Sequence, residues 1–161
     1  MKMQLTIAAL LLASATTSNA LEAYELLDLT HCSPFTQEFE ACTELELEAC
    51  MSVSNYGLEQ RGCQNQFYQE ADDKLNDYYQ SAIQAARNAK YELRNTAWQD
   101  QEQLLRASQR AWIEMRDATC QLSGEFGAVN SGADADIAEC EGRLSIRRIR
   151  DLQTEIGGFL D

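Results

Sequence analysis

Six cysteines constrain this chain more than any other feature: Cys32, Cys42, Cys50, Cys63, Cys120 and Cys140. What they can do depends on compartment, because disulfides persist in oxidising surroundings and are rare in the cytosol. The first twenty residues speak to that point. Lys2 gives a short positive start, and Leu5 to Ala13 is a compact apolar run. Thr16 to Ala20 is a polar stretch with Ser18 and Ala20 at the small-residue positions of a signal-peptidase site. An apolar run of about nine residues is too short to cross a bilayer core of roughly 30 Å as a helix. No cysteine follows the run closely enough to carry a lipid anchor. The expected product is soluble, periplasmic or secreted, cleaved near Ala20, with no membrane anchor. Its even count of cysteines reads as three disulfides, although six cysteines allow fifteen pairings. None sits in a CxxC, and His31 is the single histidine, so no metal or other cofactor is expected.

The 141 residues from Leu21 onward suit one domain with a real core. The chain carries 13 Lys plus Arg against 26 Asp plus Glu, a formal charge of −13, and Lys2 is the only charge in the first twenty residues. Nucleic acid is therefore not an expected partner, since its binders need basic surface to neutralise phosphates. Anionic membrane surfaces are disfavoured for the same reason. A basic protein would be attracted, although acidity alone needs no partner and serves solubility.

Three regions are expected: residues 1–20 as signal peptide, 21–49 as an acidic cysteine-containing extension, and 50–156 as a helical domain. Residues 21–63 hold four cysteines, Pro34, and a dense acidic run of Glu38, Glu40, Glu44, Glu46 and Glu48, with Arg61 as the nearest base. They read as short helices and turns pinned by cysteines. Beyond residue 64 the pattern changes. Phe67, Ala71, Leu75, Tyr78, Ala82, Ala85 and Ala89 recur at three- and four-residue spacing, which predicts an amphipathic helix. Leu105, Ser108, Trp112, Met115, Thr119 and Leu122 predict a second, with Thr96 and Gln99 as a capping box at its start. Gly124 to Gly132, including Gly127 and Asn130, reads as a loop. Ile137, Cys140, Leu144, Arg148, Leu152 and Ile156 predict a third helix, ended by Gly157 and Gly158. The expected fold is all-α: an antiparallel helical hairpin plus a third helix, a small bundle stapled by disulfides.

Two blocks carry a family resemblance. In EQRGCQNQFYQEADDKLNDYY, Glu59 to Tyr79, the residues are Glu59, Cys63, Asp72, Leu75, Asn76 and Tyr79. In LLRASQRAWIEMRDATC, Leu104 to Cys120, they are Gln109, Arg110, Trp112, Arg116, Asp117 and Cys120. A closing block adds Cys140, Leu144, Arg148 and Leu152. Together they resemble the LprI-type lysozyme-inhibitor domain over roughly residues 50–152. Met115 departs from it, standing where an aromatic residue often precedes the motif arginine, and Cys32 and Cys42 fall outside the shared pattern. The resemblance implies a helical envelope domain, named for a member that inhibits lysozyme. It also implies Cys120–Cys140 and Cys50–Cys63 bridges, with Cys32–Cys42 as the third.

Physical chemistry gives the same motif residues structural work. Trp112 lies on the apolar stripe and reads as a core anchor whose indole N–H needs an acceptor. Arg148 falls on a buried stripe and must be paired there, with Asp117 or Asp72 as expected partners and Asn76 beside them. Such a cluster, where three helices meet, fixes register more than it adds stability.

Catalysis is not expected. The 26 carboxylates make any one pair uninformative, no histidine lies near a plausible nucleophile, and Asp134, Asp136 and Glu139 lack the spacing of a calcium-binding loop. The sequence supports an acidic binding protein, either an inhibitor of a basic lysozyme-type cell-wall hydrolase or an envelope structural or interaction protein with another partner. The expected contact residues are Glu38, Glu40, Glu44, Glu46 and Glu48 for attraction, and the loop with Gly124, Gly127 and Asn130 for close approach.

Overall fold

The computed structural model describes residues 23–54, 57–92, 100–127 and 132–157. The expected signal peptide, the Thr96/Gln99 capping pair and Asn130 lie outside the described residues. A short 3-10 turn, Ala23–Leu26, precedes four helices: α1 Phe39–Val53, α2 Gly57–Glu92, α3 Gln101–Gly127 and α4 Ala133–Ile156. There is no strand among the described residues, so the class is all-α. No described helix is long and apolar enough to cross a membrane.

α1, at 15 residues, is longer than the short helices and turns expected here. Phe39, Thr43, Leu47 and Cys50 are buried at helical spacing and seat one face of the helix. The Thr43 hydroxyl donates to the Glu40 carbonyl at 2.9 Å, which lets a polar residue lie on that face. After Val53 the backbone turns extended at Ser54, whose hydroxyl donates to the Cys50 carbonyl at 2.8 Å and closes the helix end. α2 starts at Gly57, ahead of the expected boundary, so Cys63 lies within the helix rather than at its entry.

The core forms where α2 and α4 meet, the largest helix–helix interface of the molecule. Phe67, Ala71 and Leu75 from α2 pack with Ile146, Ile149 and Leu152 from α4. Gly142 makes that approach possible: a Cβ there would lie 2.7 Å from Phe67 Cδ1 and 3.2 Å from Tyr68 Cα. Leu27, Leu29, Cys32, Phe39 and Leu47 belong to the same core, so residues before position 50 pack as part of it.

α3 packs more on α4 than on α2, and its register differs from the expected one. The inward residues are Leu105, Gln109, Trp112, Arg116, Cys120 and Gly124, while Ser108, Met115, Thr119 and Leu122 are exposed. Asp100 begins the helix, its Oδ1 accepting from the backbone N–H of Glu102 at 3.1 Å and of Gln103 at 3.3 Å. The helix then continues into the first part of the expected loop, so Gly124 and Gly127 are helical. Gly124 is buried against Ile137 of α4, where any Cβ would collide. Its place is a helix–helix contact, not a surface loop.

Three disulfides join these parts. Cys32–Cys42 ties the N-terminal segment to α1, Cys50–Cys63 ties α1 to α2, and Cys120–Cys140 ties α3 to α4. These are the pairs that the family resemblance implies.

Candidate functional site

The motif residues converge on an arginine, but it is Arg116 rather than Arg148 that holds the aspartates. Arg116 is 7% exposed. Its Nη1 donates to Asp72 Oδ1 of α2 at 2.8 Å and to Ser145 Oγ of α4 at 3.1 Å, and its Nε donates to Asp117 Oδ1 at 3.0 Å. One guanidinium thus bonds residues on three helices. Asn76 Nδ2 donates to the other Asp72 oxygen at 3.1 Å and orients that carboxylate. Burial works against the Arg116 charge, but the hydrogen bonds of Asp72 and Asp117 outweigh it and hold its pKa above the ordinary arginine value. Burial raises Glu141 above the usual carboxylate range; Arg116 opposes this, and repulsion from Asp117 and Asp72 adds to it. Burial likewise raises the Tyr68 hydroxyl, with Asp72 adding to the effect.

Arg148 is buried, as expected, at 5% exposure, but it pairs differently. Its Nε donates to Gln109 Oε1 at 3.2 Å and its Nη2 to Ser108 Oγ at 2.8 Å, and Glu155 lies 4.0 Å from its Nη1. The expected pairing with Asp117 or Asp72 fails because Arg116 occupies both aspartates. Trp112 joins the two arginines. Its ring lies 5.3 Å from the Arg116 guanidinium carbon and 5.8 Å from that of Arg148, so both cations rest on one indole. Leu75 lies in the apolar core and Tyr79 is half-buried on α2.

Sequence reasoning places Ser108 on the apolar stripe rather than beside Arg148, and misses Ser145 and Glu141. The last two had a signal, since Glu141, Ser145 and Arg148 follow one another at spacings of four and three on α4. With its donors turned to helix residues, this node is suited to fixing the register of three helices.

The acidic run is not a free field of carboxylates. Arg143 of α4 pairs with Glu44, and also with Glu139 at 2.9 Å. Arg150 of α4 lies 3.6 Å from Glu40, and His31 lies 3.3 Å from Glu46. Although Arg61 is the nearest base in the sequence, α4 supplies cations to this run from far along the chain. Glu38 and Glu48 remain exposed. His31 also lies against the first disulfide, its Nε2 3.8 Å from Cys32 Sγ. The ligand atoms of His31, Cys32 and Cys42 fall within 4.8 Å of one another. Both sulfurs are bonded in the disulfide, so the cluster offers no thiolate to a metal.

A family model described as lysozyme inhibitor LprI matches residues 50–152, a span that includes Asp72, Arg116, Asp117 and Cys120. An uncharacterized protein of Rhizobium meliloti (strain 1021) is 30% identical over 93 residues, covering 56% of this chain and 67% of that protein. No solved structure matches.

Proposed function

We propose, from the premise that this chain belongs to the LprI lysozyme-inhibitor family, that it is an exported binding protein that captures and inhibits a basic hydrolase of the lysozyme type. The observation that carries this reading is the family match across residues 50–152. The charge of −13 supports it, because a strongly acidic protein attracts a basic one and raises the rate of encounter. The sequence of the first twenty residues supports delivery to the periplasm or medium, with cleavage near Ala20. Three disulfides suit an oxidising compartment. The reading needs no cofactor and no chemistry by the inhibitor, which has only to occupy the enzyme's cleft or its approach.

The test is direct. The purified mature protein should slow lysozyme-driven lysis of bacterial cells, and should bind lysozyme more tightly as salt is lowered, where screening is weakest. Absence of binding at low salt would remove lysozyme as the partner. An envelope interaction protein with a different partner would then be the better description.

A further inference from the structure

α3 buries one face and leaves a second apolar face uncovered. Leu104, Met115, Leu122 and Phe126 are 49%, 47%, 59% and 84% exposed. Ala111 and Ala118 are exposed between them. From Leu104 the positions advance by seven, four, three, four and four residues, which on a helix keeps all six on one side over about 33 Å. Single exposed hydrophobics are ordinary on protein surfaces, but a contiguous stripe with a polar border marks a contact surface. The stripe is free because α3 is held to the bundle by other means: the Arg116 and Arg148 hydrogen bonds and the Cys120–Cys140 bridge.

We infer that this outward stripe of α3, Leu104 to Phe126 with its acidic border, is the surface on which the cationic partner docks. The inference rests on the inhibitor reading above and says where that partner sits. Charge selects the occupant. Glu114 and Glu125 are exposed along one border, and Asp117 beyond them is already engaged by Arg116. Arg110, one turn before Glu114, and Arg106, which Glu102 engages, are cations toward the start of that side. A partner with an apolar ridge flanked by Lys or Arg satisfies both the stripe and the border. A second copy of this chain does not, because it presents the same acidic border and two protomers of charge −13 repel each other. Anionic lipid is repelled for the same reason. The α1 glutamates are weaker candidates, since Glu40, Glu44 and Glu46 are already engaged by Arg150, Arg143 and His31.

The experiment uses the mature protein with lysozyme as the cationic probe. Met115→Ser combined with Leu122→Ser should weaken binding at least tenfold, chiefly through faster dissociation. The melting temperature should stay unchanged, because both side chains face solvent. Glu114→Gln combined with Glu125→Gln should slow association several-fold and flatten its salt dependence. Met115→Leu should bind like the parent. Peroxide oxidation of Met115, followed by mass spectrometry, reads the same surface without substitution, and bound lysozyme should protect that sulfur. If the parent binds lysozyme while the α3 variants bind equally well and Met115 stays unprotected, the docking surface is wrong and the inhibitor reading stands. If the parent does not bind lysozyme at all, the inhibitor reading fails and this surface assignment fails with it.

Discussion

α2 and α4 meet mainly through carbon, whereas α3 joins them through Leu105 and Trp112 at the edge of the core, an arginine node and one disulfide. Phe67, Leu75, Ile149 and Leu152 are essentially inaccessible at the first contact, and burial of that kind is non-directional and roughly proportional to area. At the second contact the inward residues include Gln109, Arg116 and Cys120, with Trp112 under two guanidinium groups. Hydrogen bonds with fixed partners set position more sharply than apolar contact does, but each adds little net stability. The difference explains how α3 can keep five large apolar side chains at the surface, Leu104, Ile113, Met115, Leu122 and Phe126. Its attachment does not spend them.

The largest effect should come from the carbon side. Phe67→Ala removes a fully buried ring at the close approach to Gly142 and should cost about 3–5 kcal/mol. Denaturant unfolding measures it. A cost near that of a surface substitution would mean that α2 and α4 do not share the core described here.

On the polar side the arginines should separate. Arg116→Ala strands Asp72 and Asp117 near each other and should cost about 3 kcal/mol, at the lower end of the range for broken buried pairs because both aspartates keep some solvent. Arg148→Ala leaves the neutral acceptors Gln109 and Ser108 and should cost less, about 1–2 kcal/mol. Arg147→Ala, at an exposed position, should fall within about 0.5 kcal/mol of the parent. If Arg148→Ala proves the most damaging of the three, the node is centred on the wrong guanidinium.

Replacing Cys120 and Cys140 by serine opens a loop of 20 residues. The chain-entropy model puts the loss at roughly 3 kcal/mol. The contrast between the two seams gives this variant a sharper readout than a melting temperature. Backbone amides of α3 should exchange faster while those of the α2–α4 core stay protected. Uniform loss of protection would show that α3 is no more loosely held than its neighbours.

The same contrast accounts for what the sequence disclosed. Where burial is apolar, periodicity was a reliable guide: Phe67, Ala71, Leu75, Tyr78 and Ala82 all turn inward on α2, as their spacing predicts. On α3 the expected stripe runs through Leu105 and Trp112, which turn inward, and through Ser108, Met115, Thr119 and Leu122, which do not. The true inward face contains Gln109 and Arg116, which no hydrophobic pattern would select. Gly124 misled for a related reason. Glycine signals a loop by composition, yet here it lets α3 approach Ile137. The ion pairs of α1 were illegible because Glu44 and Arg143 are separated by 99 residues, a contact that only the tertiary fold creates. Residues of the arginine node were legible as a group through the family motif, but their pairing depended on which arginine reached the aspartates.

The smallest expected effect concerns two carboxylates near α3 that should respond to pH in opposite directions. Glu102, in the first turn of α3, accepts from Arg87 Nη2 at 2.9 Å and from Arg106 Nη2 at 2.7 Å. Those hydrogen bonds, that of Arg87 first, lower its pKa to about 2. A carboxylate whose folded pKa lies below its unfolded value, about 4.3 for glutamate, contributes fully above the unfolded value. The contribution fades as pH falls toward the folded one. Glu141, at the other end of the contact, is shifted upward by burial and by Asp117 and Asp72. It favours folding in its protonated form and opposes it as pH rises past the ordinary glutamate value. Acid should therefore loosen the start of α3 while easing the strain of charge at its node. Carbon-13 detected titration of the two carboxyl groups reads both at once. Glu102 should titrate near pH 2 and Glu141 above the usual range. Arg87→Ala should move Glu102 upward and leave Glu141 where it was. Similar midpoints for the two groups would mean that α3 is not clamped by Arg87 at one end and buried among carboxylates at the other.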